Sequence, residues 1–311
     1  MNADPAASAR LTARVTTLSV AVALTLAAIK LVGWSATGST ALLASFADSA
    51  LDLVAAGLTF WAVRYAVIPA DDDHRFGHGK AEAFASQWQA GLMIVSAVLV
   101  GRESIERLLH PTAVRAEGVA IAIMAVSVVA TLGLLAVQAR VIRATGSLAV
   151  KSDRAHYVAD FASNIAAVIG IGVARLTGDP RWDAAGGLLV ALWLAWGAVG
   201  LVRESSRHLM DKEIEEPMRE AIRAVALDDP QVLGVHQLKT RASGPFLHVQ
   251  MHMELDPYQT LEAAHVVVHA AETRIRKAFP GMEVLIHADP AGLSEDHDDP
   301  FEDDLATPLV R

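Results

Sequence analysis

The chain contains no cysteine. That absence excludes a disulfide-stapled scaffold, a thiolate zinc finger, an iron–sulfur protein and a cysteine nucleophile, so any metal must be held by His and carboxylate. Charge is scarce as well: charged residues make up 20% of the 311 residues and hydrophobic ones 53%. Soluble domains carry about 25% charged residues, and the mean hydropathy here is +0.35, which argues for a membrane protein. A basic face for nucleic acid is also missing. The net charge is −9, of which seven acidic residues (Glu295, Asp296, Asp298, Asp299, Glu302, Asp303 and Asp304) against Arg311 supply −6, so no nucleic-acid partner is expected. Neither GxxxxGK[ST] nor HExxH occurs, which leaves a nucleotide-driven pump and an intramembrane metalloprotease without their chemistry.

What the chain does have is six apolar windows, at 15–34, 41–63, 83–101, 118–139, 155–174 and 184–202. Each is close to the ~20 residues that cross a bilayer core. The first follows Arg10 and Arg14 but ends without a small-residue cleavage site, so it reads as a retained helix. With the N-terminus inside, twelve basic residues flank the inner side, among them Arg64, Lys80, Arg140 and Arg203. Five flank the other: Arg102, Arg107, Arg115, Arg175 and Arg181. This bias places both termini in the cytoplasm.

Beyond residue 202 the period changes. Helical spacing over 215–226, strand alternation over 232–240 and 246–255 with a turn at Ser243-Gly244-Pro245, a helix over 260–278 and a short strand over 283–287 give the order α-β-β-α-β. The expected fold is a polytopic α-helical membrane protein of six transmembrane helices plus a small cytoplasmic α+β domain. Its divisions are a cytoplasmic N-terminal segment (1–14), the membrane domain (15–210), the α+β domain (211–290) and an acidic, disordered tail (291–311).

Asp48 and Asp52 stand in mid-membrane in the second window, spaced i,i+4 on one helix face. Each costs roughly 2.5–3.5 kcal/mol there, and side by side they repel, so the pair is tolerable only with protons or a cation bound. The fifth window repeats the device in His156 and Asp160, with Asn164 one turn further. One His and three carboxylates from two helices form a four-ligand N/O set of the kind that suits tetrahedral zinc. The plainer reading, hydrogen-bond networks between helices, ordinarily uses Ser, Thr, Asn or Gln. In the loop between windows two and three, Asp71, His74 and His78 are spaced closely enough to gather on a metal, with Gly77 and Gly79 permitting the bend; a solvated polar loop is the alternative. Seven of the twelve histidines fall beyond residue 210 in the soluble end, His236, His248, His252, His265, His269, His287 and His297. His248, Gln250, His252 and Glu254 share one strand face, and several His on one face of so small a domain favour a metal site.

These motifs together, AspSerAlaLeuAsp from Asp48, HisTyrValAlaAsp from His156, the loop from Asp71 to Glu82, and the His series ending in Ile-His-Ala-Asp-Pro, resemble the cation diffusion facilitator family, close to bacterial zinc/iron efflux transporters. The resemblance covers residues 12–290. It implies a transport site at Asp48, Asp52, His156 and Asp160 and a loop site at Asp71, His74 and His78. It implies, too, a cytoplasmic binuclear site at His236, His252, His265, His287 and Asp289 that draws two copies into a homodimer. Two departures stand out: Ala288 where close relatives carry Gln, and His269 where they carry an acid, which makes His269 an additional candidate ligand beside Asn164. The function so implied is not enzymatic. It is efflux of a divalent cation, foremost Zn²⁺, with Cd²⁺, Fe²⁺ and Co²⁺ also fitting the donors, by metal/proton antiport through alternating access across a bacterial inner membrane. A metal-gated divalent cation channel is the rival reading.

Overall fold

Each apolar window lies inside a helix longer than itself. A computed structural model, described over residues 5–37, 40–110, 118–179 and 181–292, has helices α1 (Pro5–Thr37), α2 (Thr40–Ala66), α3 (Ala81–Leu109), α4 (Gly118–Thr145), α5 (Leu148–Thr177) and α6 (Arg181–Leu209). Arg115 and the acidic residues of the tail lie outside the described residues. Among the described residues five helices hold a stretch long and apolar enough to cross a membrane, and α5 packs with them as a further helix of the bundle. Their outward faces carry exposed Leu24, Val54, Val98, Val129, Leu189 and Trp196, apolar surface that lipid tolerates and water does not. Inside, Ala90, Ala97, Ala159 and Ala198 close against Met93, Val190 and Leu194. Small residues let helix backbones approach where lipid supplies no hydrophobic drive between them.

The start of α5 fixes the rotation of the helix that bears His156. Gly146 takes φ 68°, and its N–H closes on the Ile142 carbonyl at 2.8 Å, ending α4 in the left-handed conformation that glycine adopts without strain. Ser147 then caps α5: its Oγ accepts from the Val150 N–H at 3.3 Å and donates to Glu82 Oε2 at 2.6 Å. The same Glu82 oxygen accepts the Ala149 N–H at 3.3 Å, so a buried carboxylate of α3 sits on the positive end of the α5 dipole. Glu82→Ala strands both donors and is expected to destabilise the bundle by roughly 1–3 kcal/mol. Glu82→Gln, which keeps one acceptor oxygen, is expected to recover most of that. Thermal unfolding in detergent micelles measures it, and an unchanged midpoint for the alanine variant would remove Glu82 from the cap.

The chain divides into two compact units, and the second holds most of the α+β part. Its elements are α7 (Glu216–Ala226), β1 (Gly234–Ser243), β2 (Phe246–Leu255), α8 (Leu261–Ala278) and β3 (Met282–Pro290), in the order the spacing predicts. The sheet runs β1-β2-β3, so β2 is central. Val249, Met251, Met253 and Leu255 of β2 are buried with Ile222 of α7 and Val267, Ala271 and Ile275 of α8. That leaves the alternate β2 positions, His252 and Glu254 among them, on the partly open face.

Candidate metal centres

In the bundle, α2 brings Asp52 and α5 brings His156 and Asp160 to one point, with a ligand atom from each within 4.8 Å of the others. His156 Nε2 lies 2.9 Å from Asp52 Oδ1 and 3.7 Å from Asp160 Oδ2. The ring is buried, with Tyr157 beside it, and Asp160 Oδ2 is buried with no hydrogen-bond partner. A buried carboxylate oxygen left without a donor is costly unless something positive completes it. The arrangement of one nitrogen and two carboxylates therefore fits a divalent cation. Asp48, one turn before Asp52, is not part of that group of three. Asn164 stands a turn beyond Asp160, half-buried.

The same helix positions a carboxylate that spacing alone did not single out. Asp153, three residues before His156 and hence on the same face, is 1% exposed. Its Oδ2 accepts from Gln138 Nε2 of α4 at 2.8 Å, and its Oδ1 from Gln89 Nε2 of α3 at 3.4 Å. Gln138 also donates to Ser19 of α1 at 3.2 Å and Gln89 to Thr59 of α2 at 3.0 Å, so this network ties four helices to α5. Gln89 and Gln138, amides inside apolar windows, were the readable signal, since buried amides in a bundle need partners.

In the loop, Asp71, His74 and His78 form a second group. Asp71 Oδ1 accepts the N–H groups of His74 at 2.7 Å and Asp73 at 3.1 Å. The His74 N–H above all, and that of Asp73, hold the Asp71 carboxyl below its ordinary range. Its oxygens reach His74 Nδ1 at 3.4 Å and His78 Nε2 at 3.3 Å. His78 Nδ1 stands 3.3 Å from the Ile68 carbonyl. A carbonyl only accepts, so the bond assigns the proton to Nδ1 and leaves Nε2 free to ligate.

In the α+β unit, Asp289 is the centre of a third group, with His236 and His252. Asp289 Oδ2 lies 2.8 Å from His252 Nδ1 and 3.3 Å from His236 Nε2, while Oδ1 faces His287 Nε2 at 3.2 Å. One carboxylate thus faces imidazoles with both oxygens, as a bridging ligand would. Strand parity alone puts His236 in phase with buried Leu238. Gln237, at φ 47°, breaks the alternation in the manner of a bulge, and the His236 ring comes within 5.3 Å of that of His252. His265 and His269 are exposed on α8, their rings stacked 6.2 Å apart. Neither joins a three-ligand group among the described residues.

The sequence profile of the cation efflux transmembrane domain matches residues 16–210, and that of the cation efflux protein cytoplasmic domain matches residues 214–291. The cation-efflux pump FieF of Shewanella oneidensis is 39% identical over 275 residues, covering 88% of this chain and 92% of its own length. The cation-efflux pump FieF of Salmonella arizonae is 36% identical over 284 residues, covering 91% and 94%. A CzrB chain solved in its Zn form is 31% identical, covers 27% of this chain and 98% of its own, and has a TM-score of 0.26. Matched nearly from end to end by such relatives and over both domains by the profiles, this integral membrane protein is no enzyme: it belongs to the cation diffusion facilitator family of cation efflux transporters.

Proposed function

We propose that the chain exports a divalent cation, foremost Zn²⁺, in exchange for protons, and that the transport site is Asp48, Asp52, His156 and Asp160. The observation that carries this reading is the meeting of Asp52, His156 and Asp160 inside an apolar bundle. Imidazole and carboxylate favour a borderline ion over hard Mg²⁺ or Ca²⁺, and Cd²⁺, Fe²⁺ and Co²⁺ compete for the same donors. Both termini lie in the cytoplasm of a bacterial inner membrane, in agreement with the distribution of basic residues. Open to the cytoplasm, the site binds the ion as its ligands release protons, since only deprotonated His and carboxylate ligate. Turned outward, it meets protons that displace the ion from the same groups. The proton gradient drives the cycle, consistent with the lack of a nucleotide motif.

The remaining sites fit a regulatory or assembling role in the same protein. Asp71, His74 and His78 hold a metal in the loop. His236, His252, His287 and Asp289, with His265 from α8, hold metal in the 211–290 domain and draw two copies into a homodimer. Zinc uptake into proteoliposomes tests the exchange. With an imposed pH gradient, acid on the side that receives zinc, uptake is expected to accelerate, with a compensating proton flux. Uptake indifferent to the gradient would remove proton coupling.

A further inference from the structure

Besides Asp153, the described part of the bundle places a basic side chain near the transport site that belongs to no ligand set. Lys30 lies on α1 seven residues before its end at Thr37, about 10 Å along the helix. A lysine near a membrane helix end normally extends its ammonium toward the headgroups. Lys30 instead turns inward: its Nζ donates to Ser49 Oγ at 2.6 Å, and Ser49 is 2% exposed between Asp48 and Asp52 on α2. Ser49 directly follows Asp48 and stands three residues before Asp52, so the anchored ammonium is held on the segment of α2 that carries both carboxylates. Turning an ammonium toward a cation site opposes metal binding, and a neutral residue would donate to Ser49 at lower cost.

We propose that Lys30 is a built-in counter-ion of the transport site, a positioning charge anchored on Ser49 that reduces three carboxylates to a net −2 and so matches the site to one divalent ion. This rests on the assignment of Asp48, Asp52, His156 and Asp160 as the transport site. With Lys30 in place the loaded site is electrically neutral, which suits passage through a low-dielectric bundle. Without it the loaded site keeps a negative charge, so metal is held more tightly and released more slowly. A residue that merely supported the fold would have the opposite signature, weaker binding together with lower stability.

The experiment is zinc titration of the full chain in micelles at pH 8.5, in a background carrying His78→Ala and His252→Ala so that the membrane site is read alone, with proteoliposome turnover measured in parallel. Lys30→Met and Lys30→Gln are expected to tighten zinc binding by about tenfold or more while turnover falls. Lys30→Arg, which keeps the charge, is expected to stay close to the parent in both. Unchanged or weaker zinc affinity in folded Met and Gln variants overturns the proposal. So does loss of fold in both neutral variants beside a parent-like Arg variant, because the charge then serves the bundle and not the site. Asp52→Ala in the same background separates the two levels: if it leaves zinc binding intact, the site assignment itself fails; if it abolishes binding while the Lys30 variants bind as the parent does, only the counter-ion role fails.

Discussion

Asp52→Ala is expected to abolish zinc transport while leaving the fold intact. Asp52 is the α2 residue that reaches His156 of α5: its Oδ1 lies 2.9 Å from His156 Nε2, whereas Asp160 stands at 3.7 Å. Removing a partner that merely orients a metal ligand costs about 10–100-fold in affinity or activity, so loss of the ligand itself is expected to exceed that range in zinc flux. The fold should not suffer, because a mid-membrane carboxylate costs roughly 2.5–3.5 kcal/mol and its removal also relieves repulsion from Asp48 and Asp160. The thermal midpoint of the metal-free variant is therefore expected to equal or exceed that of the parent. Flux in proteoliposomes together with that midpoint decides the matter: a folded variant exporting zinc at the parent rate would remove Asp52 from the transport site.

The helices were legible because lipid sets one length and one polarity for a span, and each apolar window lies within a helix. Their ends were not. Helix α1 starts at Pro5, well before its apolar window, because Ser8, Thr12 and Thr16 are buried and the threonine hydroxyls donate back to carbonyls one turn earlier. Polar residues that satisfy themselves on their own helix leave no mark on a hydropathy window. The α+β order was legible for a different reason: Val249, Met251, Met253 and Leu255 alternate strictly on β2, whereas α8 carries apolar residues at helical spacing. Strand order depends on pairing between distant segments, which alternation within one strand does not encode.

The candidate ligands divide along the same line. Asp52, His156 and Asp160 stand out because ionisable groups in apolar windows call for an explanation by themselves. Lys30 and Asp153 sit in or beside such windows too, but their meaning depends on partners that only the folded chain supplies, Ser49 for one and Gln89 and Gln138 for the other. His236 shows the opposite case, since simple alternation along β1 misplaces it and the backbone turn at Gln237 restores it to the open face.

His156→Asp is expected to reverse the metal preference of the transport site. His156 supplies its one nitrogen, and its Nε2 lies 2.9 Å from Asp52 Oδ1 and 3.7 Å from Asp160 Oδ2. With aspartate there, four carboxylates form a harder, all-oxygen set that suits Mn²⁺ better than Zn²⁺ or Cd²⁺. The zinc-to-manganese ratio of transport rates is expected to fall by about 10–100-fold, with manganese transport retained or improved. Aspartate is shorter than histidine, so some loss of packing against Tyr157 is expected as well, and His156→Asn controls for it: nearly the same size, neutral, and a weak ligand. If donor chemistry sets selectivity, the asparagine variant loses all three metals while the aspartate variant keeps manganese. If His156 only bridges α2 and α5 by hydrogen bonding, both variants lower all three metals in proportion. Competition between the three ions in proteoliposomes separates these outcomes, and an unchanged zinc-to-manganese ratio in a folded aspartate variant would exclude the imidazole from the cargo's coordination shell.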